Sequence, residues 1–202
     1  MRLKCLAAVL AFSIAVPPLA VAQNAPKIIR GEIASVDGSN IAVRTREGES
    51  IRLHLKDGQT TSAIIPAALS DIKPGVFVGA AALPAEDGAL KALEVHIFPE
   101  AMRGTGEGFR QFDLAPGSSM TNANVSSRID AVSGSKLTLT YKGGEKTLIV
   151  DRDTPVVTFA PGEASDVKAG ASIDVFGATP TADGAFEAAR IVIGRNGTKV
   201  PM

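Results

Sequence analysis

Two histidines are the residues best suited to metal chemistry in this chain of 202 residues, because neutral imidazole is a common metal ligand. Glu94 precedes His96 by two positions, so the two side chains share one face if the segment is a strand. Asp57 follows His54 closely, and His54, His96 and a carboxylate such as Glu94 form a conceivable two-histidine, one-carboxylate site. Each histidine nevertheless alternates with apolar residues, which predicts a solvent-facing position. We therefore favour solvated histidines over a metal site.

The motifs of common enzymes and cofactor sites are incomplete. The glycine-rich segment 104–108 lacks both the G-x-G-x-x-G spacing and the following helix that bind a dinucleotide. Segments that match S-x-x-K begin at Ser70, Ser133 and Ser165, but the Lys-Thr-Gly and Ser-Asp-Asn motifs of the corresponding hydrolases are missing. We therefore expect no catalytic residues and no cofactor.

The N-terminus has the organisation of a secretory signal peptide. Arg2 and Lys4 precede an apolar run over residues 6–16, and small residues lead to a cleavage site that ends at Ala22. The run is shorter than the roughly 20 residues that a membrane-spanning helix needs, and no later segment reaches that length. We predict that residues 1–22 are removed and that the mature chain is periplasmic or secreted, without a membrane span.

Composition and charge narrow the possible functions. The chain has 21 basic and 21 acidic residues, whereas nucleic-acid-binding proteins usually carry a basic excess. Cleavage after Ala22 would leave 19 basic residues, the 21 less Arg2 and Lys4, and would remove the single cysteine, Cys5. The chain therefore offers no disulfide framework and no multi-cysteine metal site, and we expect no nucleic-acid partner.

The remainder of the chain resembles one unit written twice. Three segments of the first half match segments 95 or 96 positions later and in the same order: IASVDGSNIAV from Ile33 with IDAVSGSKLTL from Ile129, SDIKPG from Ser70 with SDVKAG from Ser165, and DGALKA from Asp87 with DGAFEA from Asp183. Such a period is the mark of a repeated structural unit. We predict an internal duplication over residues 31–98 and 127–194.

Both copies have the pattern of β-strands. Apolar and polar residues alternate, as at Ile41 and Val43, and Asp-Gly or Gly-Gly pairs between the runs are typical of hairpin turns. Helical character is confined to residues 66–73. Five strands with a short helix in that position suggest an OB-like barrel. We therefore predict an all-β protein of two tandem small barrels of five to six strands each, over residues 23–98 and 127–202.

A segment of 28 residues, 99–126, joins the predicted barrels and is too long for an ordinary connection. It carries five large apolar side chains, at Met102, Phe109, Phe112, Leu114 and Met120. Exposed together they would form a sticky patch, so we expect an ordered bridge packed across one or both barrels. The exposed part, and hence the expected contact surface, comprises Arg103, Gly104, Gly106, Gly108 and Phe109.

These residues carry a resemblance to a known family. The segments GEI and VDG from Gly31, LSDIKPG from Leu69 and DG from Asp87 resemble the short β-barrel repeat of a bacterial exported family of unknown function. The resemblance covers both copies, and the segment MRGTGEG from Met102 is similar to a subgroup with His and Trp in place of Phe109 and Phe112. Some such relatives are labelled metal transporter permeases. Because a permease needs several spanning helices, the resemblance implies at most a soluble accessory.

We therefore expect a non-catalytic exported module that binds a ligand, a protein or another envelope component. A metal-handling or transport accessory protein is the first alternative, and a hydrolase without a recognisable motif is the second.

Overall fold

A computed structural model describes residues 27–56 and 58–200 and shows that the chain folds into strands joined by turns. The described residues contain no α-helix, which confirms the predicted all-β class. The strands are β1 (Lys27–Asp37), β2 (Asn40–Thr45), β3 (Ser50–His54), β4 (Thr60–Pro66), β5 (Phe77–Pro84), β6 (Leu90–Ile97), β7 (Gly108–Gln111), β8 (Ser119–Ala131), β9 (Gly134–Tyr141), β10 (Gly144–Asp151), β11 (Val156–Pro161), β12 (Ser172–Pro180), β13 (Phe186–Glu187) and β14 (Arg190–Gly194). The predicted signal peptide and Asp57 lie outside the described residues. In the part of the chain that is described, no helix is long and apolar enough to cross a membrane.

Five strands close a β-barrel, in the order β5, β6, β10, β9 and β8, with β8 pairing back to β5. Alternate side chains of each strand point inwards, as the period of two requires. Val78 and Ala80 from β5, Val95 from β6, and Leu137 and Leu139 from β9 are fully buried in its core. Closure leaves no free edge along this part of the sheet.

A second set of strands, β1, β2, β3, β13 and β12, pairs in a ring that the β1–β12 ladder closes. Strand β13 contributes only two residues to this ring. The interior of the ring is lined by β-branched side chains, among them Ile33, Ile41, Val43, Ile173 and Val175. Such residues fit a pleated, buried surface well.

Three strands connect the ring to the barrel through one continuous run of pairings. Strand β14 pairs with β12 of the ring and with β4, β4 pairs with β11, and β11 pairs with β6 of the barrel. A central cluster of buried side chains lies along this run and comprises Ile64, Val157, Val192 and Val200. The connecting strands therefore form a third core between the barrel and the ring.

The strand pairing differs from the predicted division at residues 99–126. The barrel combines β5 and β6 from the first half with β8, β9 and β10 from the second, and the ring combines β1–β3 with β12 and β13. Sequence periodicity identifies strands but not their partners, since a strand of one half can pair with strands of either half. Each closed set consequently contains strands from both halves rather than one half alone.

Corresponding strands of the two halves nevertheless pair in corresponding ways. Strand β1 is antiparallel to β12 as β8 is to β5, and β3 is parallel to β13 as β10 is to β6. Strand β14 is parallel to β4 as β6 is to β11. The order of contacts therefore repeats along the chain.

The first hairpin of each half departs from the sequence match. The turn lies between Asp37 and Asn40 in the first half but between Ala131 and Gly134 in the second, so the matched glycines Gly38 and Gly134 occupy different places in the hairpin. As a result Ile33 is fully buried, whereas its counterpart Ile129 is 65% exposed. Hairpin register depends on turn geometry and not on sequence similarity alone.

Two 3-10 turns, Leu69–Asp71 and Ala164–Asp166, occupy corresponding places before β5 and β12. In each turn the final aspartate accepts a hydrogen bond from the backbone N–H three residues earlier, at 2.9 Å for Asp71 and 2.8 Å for Asp166. The structure thus shortens the predicted helical segment 66–73 to a single turn. These caps satisfy backbone donors that would otherwise have no partner.

The two capping aspartates are expected to differ in their contribution to stability. Asp71→Ala should lower the free energy of unfolding by about 1 kcal/mol, the usual effect of a lost cap. Asp166→Ala should cost about 2–3 kcal/mol, because buried Asp166 also accepts two hydrogen bonds of 2.8 Å from Arg195. Urea denaturation of both variants measures the difference. Equal losses would show that the pairing with Arg195 adds nothing to stability.

Candidate ligand-binding site

A pocket of about 600 Å³ opens between the barrel and the ring. This volume lies within the range of about 300–1,000 Å³ that is typical of small-molecule sites. Most of its wall is apolar, and the main contributors are Ile28, Phe98, Phe112, Met120, Phe159 and Phe176. Its lining residues come from both strand sets and from the segment that joins β6 to β8.

Strand β6 supplies the floor of the pocket through the face that points away from the barrel core. Val95 points into the barrel, whereas Glu94 and His96 lie on the opposite face. That face was predicted to be solvated, and this prediction was wrong for His96 and Glu94, whose side chains are only 2% and 1% exposed. The second strand set and the aromatic side chains cover it, because a strand between two layers has no solvent face.

Gly79 on β5 makes room for the His96 ring. A Cβ atom at Gly79 would lie 2.0 Å from Nε2 of His96 and 2.8 Å from Oδ1 of Asn122, closer than a Cβ atom approaches a non-bonded heavy atom. A glycine at this position therefore allows the imidazole to pack directly against the neighbouring strand. The three residues together fix the floor of the pocket.

Two buried hydrogen-bond acceptors have no partner here, one on Asn122 in the pocket floor and one on Glu94 behind His96. Nδ1 of His96 lies 3.1 Å from Oε1 of Glu94, so this pair holds the imidazole in place. Oε2 of Glu94 and Oδ1 of Asn122 are buried and accept no hydrogen bond from the described residues. Unpaired buried acceptors are costly, and they commonly mark a place where water or a ligand donates a hydrogen bond.

An aromatic cluster forms the wall next to this floor. Phe98 and Phe159 stack with their ring centroids 5.5 Å apart and their planes inclined by 17°. His96 meets the edge of Phe98 at 4.7 Å, and Phe77 packs behind Phe98 at 5.3 Å. Such offset and edge-to-face contacts stabilise a rigid apolar surface.

The glycine-rich part of the bridge forms one side of the pocket. Thr105 and Gly106 line it, and the Thr105 carbonyl accepts a hydrogen bond of 2.9 Å from Nδ2 of Asn122. Gly106 has a positive φ of 56°, a conformation that glycine adopts at little cost. The segment 104–108 is thus a turn that encloses the pocket in addition to being exposed to solvent.

The other residues of the predicted contact surface, Arg103, Gly104, Gly108 and Phe109, lie outside the pocket. Arg103 makes a two-pronged contact with Glu100, at 2.6 and 2.7 Å, and donates to the Gly75 carbonyl at 2.9 Å. Phe109 points outwards and is 40% exposed, with Nζ of Lys146 4.6 Å from its ring. Gly104 is exposed and Gly108 begins β7, and neither lines the pocket.

The end of the bridge is fixed to the ring by an arginine. Arg30 on β1 donates to both carboxylate oxygens of Asp113, at 2.8 and 2.9 Å, and lies over the Phe112 ring at 5.4 Å. Its Nε also lies 3.5 Å from Oδ2 of buried Asp174. This contact places Phe112 against the central cluster and in the pocket wall.

Two further arginines line the pocket from different elements. Arg110 on β7 donates one hydrogen bond of 3.0 Å to the Gly106 carbonyl, and Arg190 at the start of β14 lies 4.4 Å from the Phe176 ring. Burial disfavours the charged form and lowers the pKa of both guanidinium groups. Arginine remains ionised at neutral pH nonetheless, so the pocket contains two positive charges.

His54 lies far from this arrangement in the fold, at the end of β3 in the ring. Its Nδ1 is 2.6 Å from Oδ1 of Asn40, and its Nε2 is 3.2 Å from Oδ2 of Asp183. Hydrogen bonds from Thr181 and then from His54 lower the pKa of the Asp183 carboxyl. His54 therefore joins two turns of the ring and does not meet His96 or Glu94.

The conceivable two-histidine metal site is consequently not assembled. Within residues 27–56 and 58–200, no group of three or more His, Cys, Asp or Glu side chains is arranged to hold a metal ion. His96 and Glu94 lie together but engage each other. The predicted ligand set of His54, His96 and Glu94 is thus divided between the ring and the pocket floor.

Several pocket residues were missed by sequence reasoning, namely Phe98, Phe159, Phe176, Arg110 and Arg190. A signal was present at the end of β6, because Phe98 follows Glu94 and His96 on the face opposite the barrel core. A large aromatic residue at the end of an otherwise polar face indicates that the face is covered. Comparisons with family models, curated proteins and solved structures found no match to this chain.

Proposed function

We propose that this protein is a non-catalytic binding module that takes a small, largely apolar organic molecule into the pocket between the barrel and the ring. The observation that carries the proposal is the aromatic wall of Phe98, Phe159 and Phe176 around a cavity of about 600 Å³. Apolar pockets of this size with few, well-placed polar groups are typical of ligand sites. Oδ1 of Asn122, an acceptor without a partner at the floor, would orient a ligand that carries a donor.

The same proposal includes the origin and location of the protein. The matched segments and the repeated order of strand pairings support an internal duplication whose two copies exchange strands. The N-terminal pattern of Arg2, Lys4 and the apolar run supports export. In this proposal the ligand is met outside the cytoplasm.

A fluorescent probe tests the binding function. The neutral apolar dye N-phenyl-1-naphthylamine should bind saturably with one site per chain and gain fluorescence, because the aromatic wall removes it from water. Ile28 lines the mouth of the pocket and is 43% exposed, so Ile28→Trp should fill the mouth and weaken binding at least about tenfold.

The matched control is Ile129→Trp, on an exposed position of β8 that does not line the pocket. It should leave the affinity for the dye unchanged. The dye is excited directly at a wavelength that indole does not absorb, so the introduced tryptophan does not contribute to the signal. Absence of saturable binding, or equal losses in the two variants, would refute the proposed site.

A further inference from the structure

We propose that the pocket selects apolar molecules that carry an oxyanion head group, and that Arg110 and Arg190 bind this head group. The inference rests on the proposed binding function and names the chemical class of the ligand. The shared chemistry is a carboxylate, sulfonate or phosphate group attached to an apolar body. The structural basis is the presence of two guanidinium groups in the wall of an otherwise apolar cavity.

Neither guanidinium is neutralised by the protein. In the described part of the chain, no carboxylate lies within 4.0 Å of Arg110 or Arg190. Arg30, which lies beside the same pocket, contrasts with them because Asp113 and Asp174 both face it. Arg190 is half-buried and Arg110 is exposed at the rim of the pocket, and a charge beside an apolar cavity without a counterion favours an anionic partner from solution.

Both arginines also retain hydrogen-bond donors for a ligand. A guanidinium has five N–H donors in a planar fork that matches an oxyanion. Arg110 uses one of its nitrogens on the Gly106 carbonyl, and the Arg190 guanidinium lies over the Phe176 ring without donating to a described residue. The remaining N–H groups of both side chains are therefore available to a ligand.

The acidic groups near the pocket define the orientation of the ligand. Asp113 is the only carboxylate in the pocket wall that the structure describes, and Arg30 binds both of its oxygens. The floor presents the acceptor Oδ1 of Asn122, and the Glu94 carboxylate is buried behind His96, so an anion is disfavoured at the floor. An oxyanion is therefore directed to Arg110 and Arg190, with the apolar body against the stacked aromatic rings.

A pair of dyes with the same apolar body tests the inference on the full chain. 1-Anilinonaphthalene-8-sulfonate is N-phenyl-1-naphthylamine with one added sulfonate. The anionic dye should bind at least about tenfold more tightly than the neutral dye. Arg110→Gln and Arg190→Gln should each weaken binding of the anionic dye about tenfold. Each variant should change the affinity for the neutral dye by less than about twofold.

Arg152→Gln is the matched control, because Arg152 is an exposed arginine in the turn after β10 and does not line the pocket. It removes the same charge from the protein and should affect neither dye. Thermal unfolding of each variant shows whether the fold is retained. Arg190→Lys, which keeps the charge, should recover part of the lost affinity.

Competition then identifies the head group. Decanoate and decyl phosphate should displace the anionic dye at lower concentrations than decanol, and the more effective of the two names the preferred oxyanion. Equal affinity for both dyes, or equal losses for both dyes in the arginine variants, would overturn the inference while leaving the binding function intact. Failure of both dyes to bind would refute the binding function, and the inference with it.

Discussion

Asp174→Asn is expected to stabilise the protein by about 2–4 kcal/mol at pH 8 and to have little effect at pH 4. Asp174 is almost fully buried on β12, and neither of its carboxylate oxygens accepts a hydrogen bond from the described residues. Burial raises the pKa of this carboxyl to about 7, although the charges of Arg30 and Arg46 oppose the shift. Asparagine has nearly the same shape and never ionises.

The direction of the pH dependence follows from the raised pKa. Below about pH 4 the carboxyl is protonated in both the folded and the unfolded chain, so ionisation costs nothing. Between pH 4 and 7 the unfolded chain loses this proton first, and folding is progressively disfavoured. Above pH 7 the penalty is complete, and each unit of pKa shift corresponds to about 1.4 kcal/mol.

Urea denaturation of the native protein and of Asp174→Asn at pH 4, 6 and 8 measures this penalty. The difference in free energy of unfolding should grow with pH and level off near pH 8. Asp153→Asn is the control, because Asp153 is an exposed aspartate near the end of β10 that water solvates in both states. A constant difference for Asp174→Asn at all three pH values would contradict the prediction and indicate that Arg30 fully compensates the buried charge.

The all-β class and the turn positions were predictable because they depend on local chemistry. Alternation of apolar and polar residues specifies a strand, and Asp-Gly pairs specify turns. The alternation on β6 correctly placed Val95 inside the barrel. The same alternation did not indicate that His96 and Glu94 are buried on the other face. Alternation of apolar and polar residues separates the two faces of a strand but does not show what covers either face.

The pairing of strands could not be predicted because it depends on contacts between distant parts of the chain. Two halves of similar sequence offer each strand two similar partners, and the pairing of β1 with β12 rather than with β5 depends on packing over the whole molecule. The pocket is a consequence of that choice. Phe159 and Phe176 come from the second half and His96 and Phe98 from the first, so neither half contains the whole site.

Phe98→Ala is expected to lower the free energy of unfolding by about 3–5 kcal/mol, the usual cost of removing a buried phenylalanine. Phe98 is 7% exposed and contacts Phe77 and His96 of the barrel and Phe159 of the connecting strand β11. Its removal leaves a cavity that joins the pocket and deprives the stacked Phe159 ring of its partner. Phe98→Leu, which retains part of the volume, should cost less.

Phe109→Ala is the matched control, because this phenylalanine is 40% exposed on β7 and its ring is approached only by Lys146 among the described aromatic and cationic contacts. Its loss should change the free energy of unfolding by less than about 1 kcal/mol. Urea denaturation, followed by tyrosine fluorescence and by circular dichroism, measures the free energy of unfolding of both variants. Coincidence of the two transitions justifies a two-state treatment. Similar small losses for Phe98→Ala and Phe109→Ala would mean that the aromatic wall is not a rigid part of the core. In that case the pocket would have to form around its ligand, whereas a large loss confined to Phe98 indicates a wall that exists before the ligand arrives.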